Sequence, residues 1–278
     1  MMSGNEKPLK VALLDLYEGV ANQGMRCIRE ILHQFASDYA FTLQLDEYDV
    51  RLKQEIPGLD YDLYVSSGGP GSPIDSEGTE WEIKYFNWIA ALDKHNETAN
   101  TKKHVLFICH SFQLACRYFK VATVNKRKST AFGVFPVHLL HGAHAEPIFA
   151  GLHDPFYTVD SRDYQVIQPQ LHRIHEIGGE ILAIEKARPH VPYERALMAI
   201  RFNDQMVGTQ FHPEADAPGM LQYLLSEEKK QTVIANHGVA KWQSMVEQLN
   251  DPEKIMHTYK QVLPNFLKKA IPHLSTIN

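Results

Sequence analysis

Cysteine is scarce in this 278-residue chain: only Cys27, Cys109 and Cys116 occur. So small and odd a set excludes a disulfide framework and suits a reducing compartment. Long apolar runs are missing, so no segment reads as a membrane span. The stretch Met1–Lys10 is polar and lacks the apolar centre of a secretory signal. Strong charge of either sign is missing as well. The net charge is −5, and the one compact basic run, Lys126-Arg127-Lys128, reads as a solvated loop. These absences predict a cytoplasmic protein with no membrane or nucleic-acid partner. Internal repeats, low-complexity segments and a Gly-x-x-x-x-Gly-Lys-Ser/Thr phosphate loop are also absent.

What is present is enough apolar residue, 44%, to bury a sizeable core. Leu9–Asp15, Asp62–Ser66 and His104–Cys109 are short apolar runs of the kind that form buried strands, and Thr42–Tyr48 alternates like a strand. Between them, Met25, Ile28, Ile31, Leu32 and Phe35 recur at helical spacing, and Glu80–Leu92 and Ser111–Phe119 also read as helices. Strands alternating with helices predict an α/β fold, with a parallel sheet covered on both faces. Further strands are predicted at Gly133–Leu139, Phe156–Asp160, Ile181–Glu185, Leu197–Phe202 and Met206–Phe211. From Ala217 the pattern turns helical, with Pro252, Pro264 and Pro272 as punctuation. A main domain over 1–228 and a helical C-terminal extension packed on it over 229–278 are expected. In that extension Ile255, Tyr259, Val262, Leu263, Phe266 and Leu267 form an apolar face.

Three short segments carry chemistry. Cys109 lies where a buried strand meets a helix. Such an elbow lifts the side chain clear of the sheet, and the helix N-terminus favours thiolate. Taken alone, a buried structural cysteine is the commoner reading. Gly208 to Glu214 is an apolar strand ending in His212-Pro213-Glu214. The proline stops the strand, and Glu214 can reach back to orient His212 as a base for the thiol. That pairing sets His212 apart from the other histidines, of which the chain has 15 in all. Gly68-Gly69-Pro70-Gly71 is a loop whose backbone can approach a ligand closely, and with the N–H of His110 it could cradle an oxyanion. An ordinary turn is the plainer reading of those glycines alone. His138, His141, His144 and His153 cluster in sequence but have no cysteine or carboxylate at tight spacing, so no metal site is expected. Cys116 reads as core.

The order Gly-Gly-Pro-Gly, Cys-x-x-x-Gln and His-Pro-Glu, at these spacings, resembles the class I glutamine amidotransferases. The likeness runs from about Lys10 to Leu225 and is greatest to stand-alone relatives of the amidotransferase domain of GMP synthase. It implies a flavodoxin-like, doubly wound, mostly parallel sheet. It implies that Cys109 is the nucleophile, His212 the base and Glu214 its orienter. Gly69 and the His110 backbone correspond to the oxyanion hole, and Gly71, Gln113 and Ser161 to substrate-binding positions. Ser161 opens the segment Ser161–Val166, which stands where the family has a Ser-His-Gly-Asp-like stretch. The implied reaction splits glutamine into glutamate and ammonia through a γ-glutamyl thioester, without a cofactor. If the ammonia feeds a synthesis, a separate synthase subunit receives it. Two features depart from the family's Gly-x-Cys-x-Gly: Phe107 needs a pocket of its own, and Ser111 adds a few atoms. His110 and Arg162 bring cationic or polar groups near the site. The alternatives are a γ-glutamyl amine or peptide hydrolase with the same triad, or a binding protein that keeps the fold without turnover.

Overall fold

A computed structural model describes residues 8–189, 192–251 and 253–271. Among these, nine strands form a single sheet in the order β2-β1-β3-β4-β9-β8-β7-β5-β6. Its first half is β1 (Leu9–Asp15), β2 (Leu43–Asp49), β3 (Leu63–Ser66), β4 (His104–Ile108) and β9 (Met206–Thr209). All pairings in this half are parallel. The inner strands β1, β3, β4 and β9 are buried on both faces. This is why they read as unbroken apolar runs, whereas edge strand β2 alternates.

Helices cover both faces of this half. On one face lie α1 (Gln23–Asp38) and α8 (Ile255–Ala270), with Met25, Ile28, Val262, Leu263 and Phe266 packed on Val11, Leu13, Val65 and Ile108. Asn22 starts α1 by accepting the Met25 N–H at 2.8 Å. On the other face lie α2 (Glu80–Thr98) and α3 (His110–Phe119), with Tyr85, Trp88, Phe112 and the core Cys116 packed on Leu14, Tyr64 and Phe107.

The second half corrects the expectation of a mostly parallel sheet. The strands β5 (Thr123–Leu139), β6 (Phe156–Ile167), β7 (Glu180–Glu185) and β8 (Leu197–Arg201) pair antiparallel with one another, and β8 pairs antiparallel with β9. Parallel and antiparallel pairings are therefore equal in number, and the sheet is mixed. The ribbon β5–β6 is the largest surprise. It takes in Lys126-Arg127-Lys128, read from sequence as a solvated loop. Arg127 instead donates to Gln165 at 3.0 Å and to Glu185 at 3.2 Å across the sheet. Pro264 also departs from its expected role, since it lies inside α8. Pro252 and Pro272 lie outside the described residues. A third apolar cluster forms where α5 (Ala217–Leu225) and α7 (Val239–Leu249) pack on Val134 and Val159 of the ribbon. No helix among the described residues is long and apolar enough to cross a membrane.

Phe107 has its pocket. It is fully buried, and its ring meets Phe202 edge-on at 6.0 Å. Its cross-strand partner on β9 is Gly208. A Cβ on Gly208 would stand 2.5 Å from the Phe112 ring and 3.2 Å from Phe202. The glycine that makes room for this aromatic group thus sits on the neighbouring strand. Removing the ring leaves a cavity, so Phe107→Ala is expected to cost about 3–5 kcal/mol of unfolding free energy. Urea denaturation measures it, and a loss below about 1 kcal/mol would show that the ring carries no packing load.

Candidate active site

The carboxyl ends of β3, β4 and β9 are neighbours, because β4 pairs with both of the others. In register, Ile108 stands beside Thr209, and the Cys109 N–H donates to the Thr209 carbonyl at 2.7 Å. Three residues beyond Thr209 comes His212. The pairing therefore delivers the thiol and the imidazole to one spot from segments about a hundred residues apart.

Cys109 sits at φ 50°, ψ −99°, a conformation that L residues rarely adopt. Ser111 staples this elbow. Its hydroxyl accepts the Ile108 N–H at 2.8 Å and donates to the Ser66 carbonyl at 2.7 Å, with the Ile108 carbonyl at 3.0 Å. A serine here thus ties β3 and β4 to the turn. The N–H groups of the first turn of α3 face the elbow without helical partners.

His212 is fixed at three points. Its N–H donates to the Val159 carbonyl at 3.0 Å, as an isolated bridge to β6. Its Nδ1 lies 2.8 Å from Glu214 Oε1. Its Cε1 stands so close to Gly68 that a Cβ there would approach to 2.8 Å. Burial works against the imidazolium, but the Glu214 and Cys109 charges outweigh it and raise the His212 pKa well above the ordinary value. The proton therefore stays on the ring at neutral pH. Glu214 is itself buried, and its Oε2 has no hydrogen-bond partner among the described residues.

The glycine loop closes the site from the β3 side. A Cβ on Gly68 would be 3.5 Å from Cys109 Cβ, and one on Gly69 would be 2.3 Å from the Leu16 carbonyl oxygen. Neither position admits a side chain. Gly71, at φ 85°, lines the cleft. The loop is held by Arg51, whose Nη1 donates to Pro70 O at 2.7 Å and Leu16 O at 3.2 Å while Nη2 pairs with Glu18 at 2.8 Å.

Gln113 and Ser161 also reach the cleft. Gln113 donates its amide to Gln210 Oε1 at 3.0 Å, and Gln210 Nε2 lies 3.7 Å from Cys109 Sγ. Ser161 presents its carbonyl, 3.9 Å from the same sulfur. The segment Ser161–Val166 is part of β6. The two expected cationic groups are not free charges in the cleft. Arg162 is committed to Asp160, at 2.9 and 3.0 Å, and to Glu185 at 3.7 Å. His110 is buried, and burial, with help from Arg51 and Arg117, pushes its pKa down to about 3. It is neutral.

The cleft at this point has a volume of about 560 Å³. Sequence reasoning missed Tyr17, Arg51 and Gln210. Tyr17 follows β1 and lines the cleft, with its hydroxyl 2.4 Å from where a Gly24 Cβ would be. Burial and the charges of Glu214 and Cys109 raise its pKa well above the ordinary value, so it stays a proton donor. Nothing local in sequence marks Tyr17 or Arg51. Gln210, two residues before His212 on the same strand end, was within reach of the motif. The histidines 138, 141, 144 and 153 are elsewhere: His138 faces Asp154 at 3.6 Å and His153 stacks on His257. No group of three or more His, Cys, Asp or Glu side chains among the described residues could hold a metal ion.

Sequence comparison with protein families matches residues 13–230 to glutamine amidotransferase class-I. Comparison with curated proteins gives no match. Among solved structures, the chain is similar to a glutamine amidotransferase from Thermotoga maritima (TM-score 0.67, 16% identity, 95% of this chain and 99% of that one). It is also similar to a glutamine amidotransferase from Methylobacillus flagellatus (TM-score 0.59, 15% identity, 95% of each chain). A third is a putative GMP synthase subunit from Thermoplasma acidophilum (TM-score 0.51, 22% identity, 76% of this chain and 87% of that one). At these identities the structural likeness speaks for the fold.

The neutral, buried His110 makes a prediction about pH. Its folded pKa lies below the unfolded value of 6.5, so the unfolded chain binds more protons between about pH 6.5 and 3. Stability therefore falls as pH falls through that window, by about 1.4 kcal/mol per pH unit from this residue. His110→Gln removes this share. The drop in unfolding free energy from pH 7 to pH 5 should be smaller in the variant by about 2 kcal/mol. Equal drops in the two proteins, measured in urea, would contradict a neutral buried imidazole.

Proposed function

The chain belongs to the glutamine amidotransferase class-I family, and on that premise we propose that it hydrolyses the γ-amide of glutamine through a thioester on Cys109. The observation that carries this reading is the strained elbow at Cys109, with the His212–Glu214 pair, 2.8 Å apart, at the end of the adjoining strand. The raised His212 pKa keeps a protonated imidazole beside the sulfur, ready to act as the acid.

The thiolate attacks the amide carbon, a C–S bond forms, and the carbonyl oxygen becomes an anion. The N–H groups of Gly69 and His110 are the donors aimed at that charge. The His212 imidazolium gives its proton to the amide nitrogen, the C–N bond breaks, and ammonia leaves. His212, now neutral, takes a proton from water, whose oxygen attacks the thioester. Glutamate departs and the thiolate–imidazolium pair is restored. Glu214 keeps Nδ1 protonated throughout and steadies the cation. Tyr17, Arg51 and Gln210 position the pieces: Arg51 holds the glycine loop, and Gln210 links Gln113 to the sulfur. Gly71, Gln113 and Ser161 line the space where the amino-acid end of the substrate would lie.

A glutamine-like diazo-ketone should label the wild-type chain once, at Cys109, by peptide mass spectrometry, and should leave Cys109→Ala unlabelled. Absence of labelling in the wild type would sink the proposal. Glu214→Gln should preserve the fold and lower kcat for ammonia release by about 10³–10⁴, because the imidazole loses the group that fixes its tautomer.

A further inference from the structure

The cleft is larger than the proposed substrate. Glutamine has ten non-hydrogen atoms, and even at the ~30 Å³ a water molecule takes in the liquid they need only ~300 Å³. The cleft offers about 560 Å³. Where the surplus lies follows from the chemistry. The departing nitrogen must sit beside His212, since that ring supplies its proton. The chain that leaves His212 runs through Ala215 and Asp216 into α5, and His212, Ala215, Asp216 and two residues of α5 line the same cleft.

The wall on that side is mainly apolar; its polar members on the β5–β6 face, Thr130 and Asp163, are hydrogen-bonded to each other. Met220 and Tyr223 come from α5, Val159 from β6 and Phe132 from β5, and all four line the cleft. Phe132 stands directly across from Ser161, whose carbonyl touches the thiol, and its ring meets Tyr223 edge-on at 6.3 Å. Asp216 also lines this side, but its charge is used: it caps α5 through the Gly219 N–H at 2.9 Å and pairs with Arg26 at 2.7 Å. Ammonia would leave this wall facing water. The end at Tyr223 is open, since that residue is 43% exposed, so a group longer than one atom can extend outward.

We infer that the Phe132–Val159–Met220–Tyr223 wall is a leaving-group subsite, and that the chain cleaves γ-glutamyl amides of apolar alkyl or aralkyl amines in preference to glutamine. The inference rests on the thioester reading above. The step is the same in atoms and protons: C–S forms, C–N breaks, and His212 protonates the amine nitrogen. The amine leaves with its apolar group along the wall, and water then releases glutamate. Aromatic edges and a flexible thioether suit such a group, because both adapt to flat or irregular apolar surfaces.

A series of γ-glutamyl amides tests this: glutamine itself, the methylamide, the butylamide and the benzylamide, with glutamate release as the readout. The parent amines, ammonia included, have similar basicity, so leaving-group reactivity changes little along the series. The expected kcat/KM rises along it, by ~10–200-fold from glutamine to benzylamide, the range that small apolar additions bring in a fitted pocket. Tyr223→Ala and Met220→Ser should each lower the benzylamide-to-glutamine ratio of kcat/KM by ~10-fold, with diazo-ketone labelling of Cys109 and the melting curve as checks on the fold. A flat or falling profile with glutamine turned over would overturn the subsite and leave the thioester chemistry standing. No turnover of any member, with no labelling of Cys109, would overturn both.

Discussion

The hydrogen bond from the Cys109 N–H to the Thr209 carbonyl, 2.7 Å long, is the last rung between β4 and β9. Beyond it the two chains diverge, one into α3 and the other into the His-Pro-Glu turn. A shift of one residue in this pairing would turn the β9 side chains to the opposite face of the sheet. It would also remove Gly208 from beside Phe107, where a larger residue would collide with the Phe112 ring. Core packing and cleft geometry therefore enforce the same register. The β3 side is tied in by Ser111, which joins the Ser66 carbonyl to the elbow.

Charge around the cleft is arranged by burial. Burial disfavours the charged form of both histidines. At His212 the acidic partners, Glu214 first, outweigh it and the proton stays, whereas at His110 nothing opposes burial and the Arg51 and Arg117 charges add to it. The cations that could have intruded are bound elsewhere: Arg162 to Asp160 and Arg51 to Glu18. Breaking either pair would leave a poorly solvated charge at the edge of the cleft.

The parallel half of the sheet and the three chemical segments were legible because each is written locally. Strands buried on both faces give unbroken apolar runs, and Cys109 and His212-Pro213-Glu214 announce themselves at strand ends. In the antiparallel half the strands at Ile181–Glu185 and Leu197–Phe202 were legible too, but the pairing direction and the full length of the β5–β6 ribbon were not. Lys126-Arg127-Lys128 of β5 reads as a solvated loop because three cations crowd together, and only Gln165 and Glu185, distant in sequence, make Arg127 a sheet residue. The strand predicted at Phe156–Asp160 stops short of Ser161–Val166, which long-range pairing with β5 carries on as strand. Phe107 seemed anomalous because its compensating glycine lies on another strand. Tyr17 and Arg51 carry no motif at all, and their relevance exists only once β1 and the glycine loop are side by side.

At Cys109 the demands of folding and of chemistry part company. At φ 50° and ψ −99° a side chain of any kind is held under strain worth roughly 1–3 kcal/mol. Glycine would occupy the same backbone at ease. Replacing Cys109 by glycine would relieve that strain, so a thiol at this turn is held at the expense of stability.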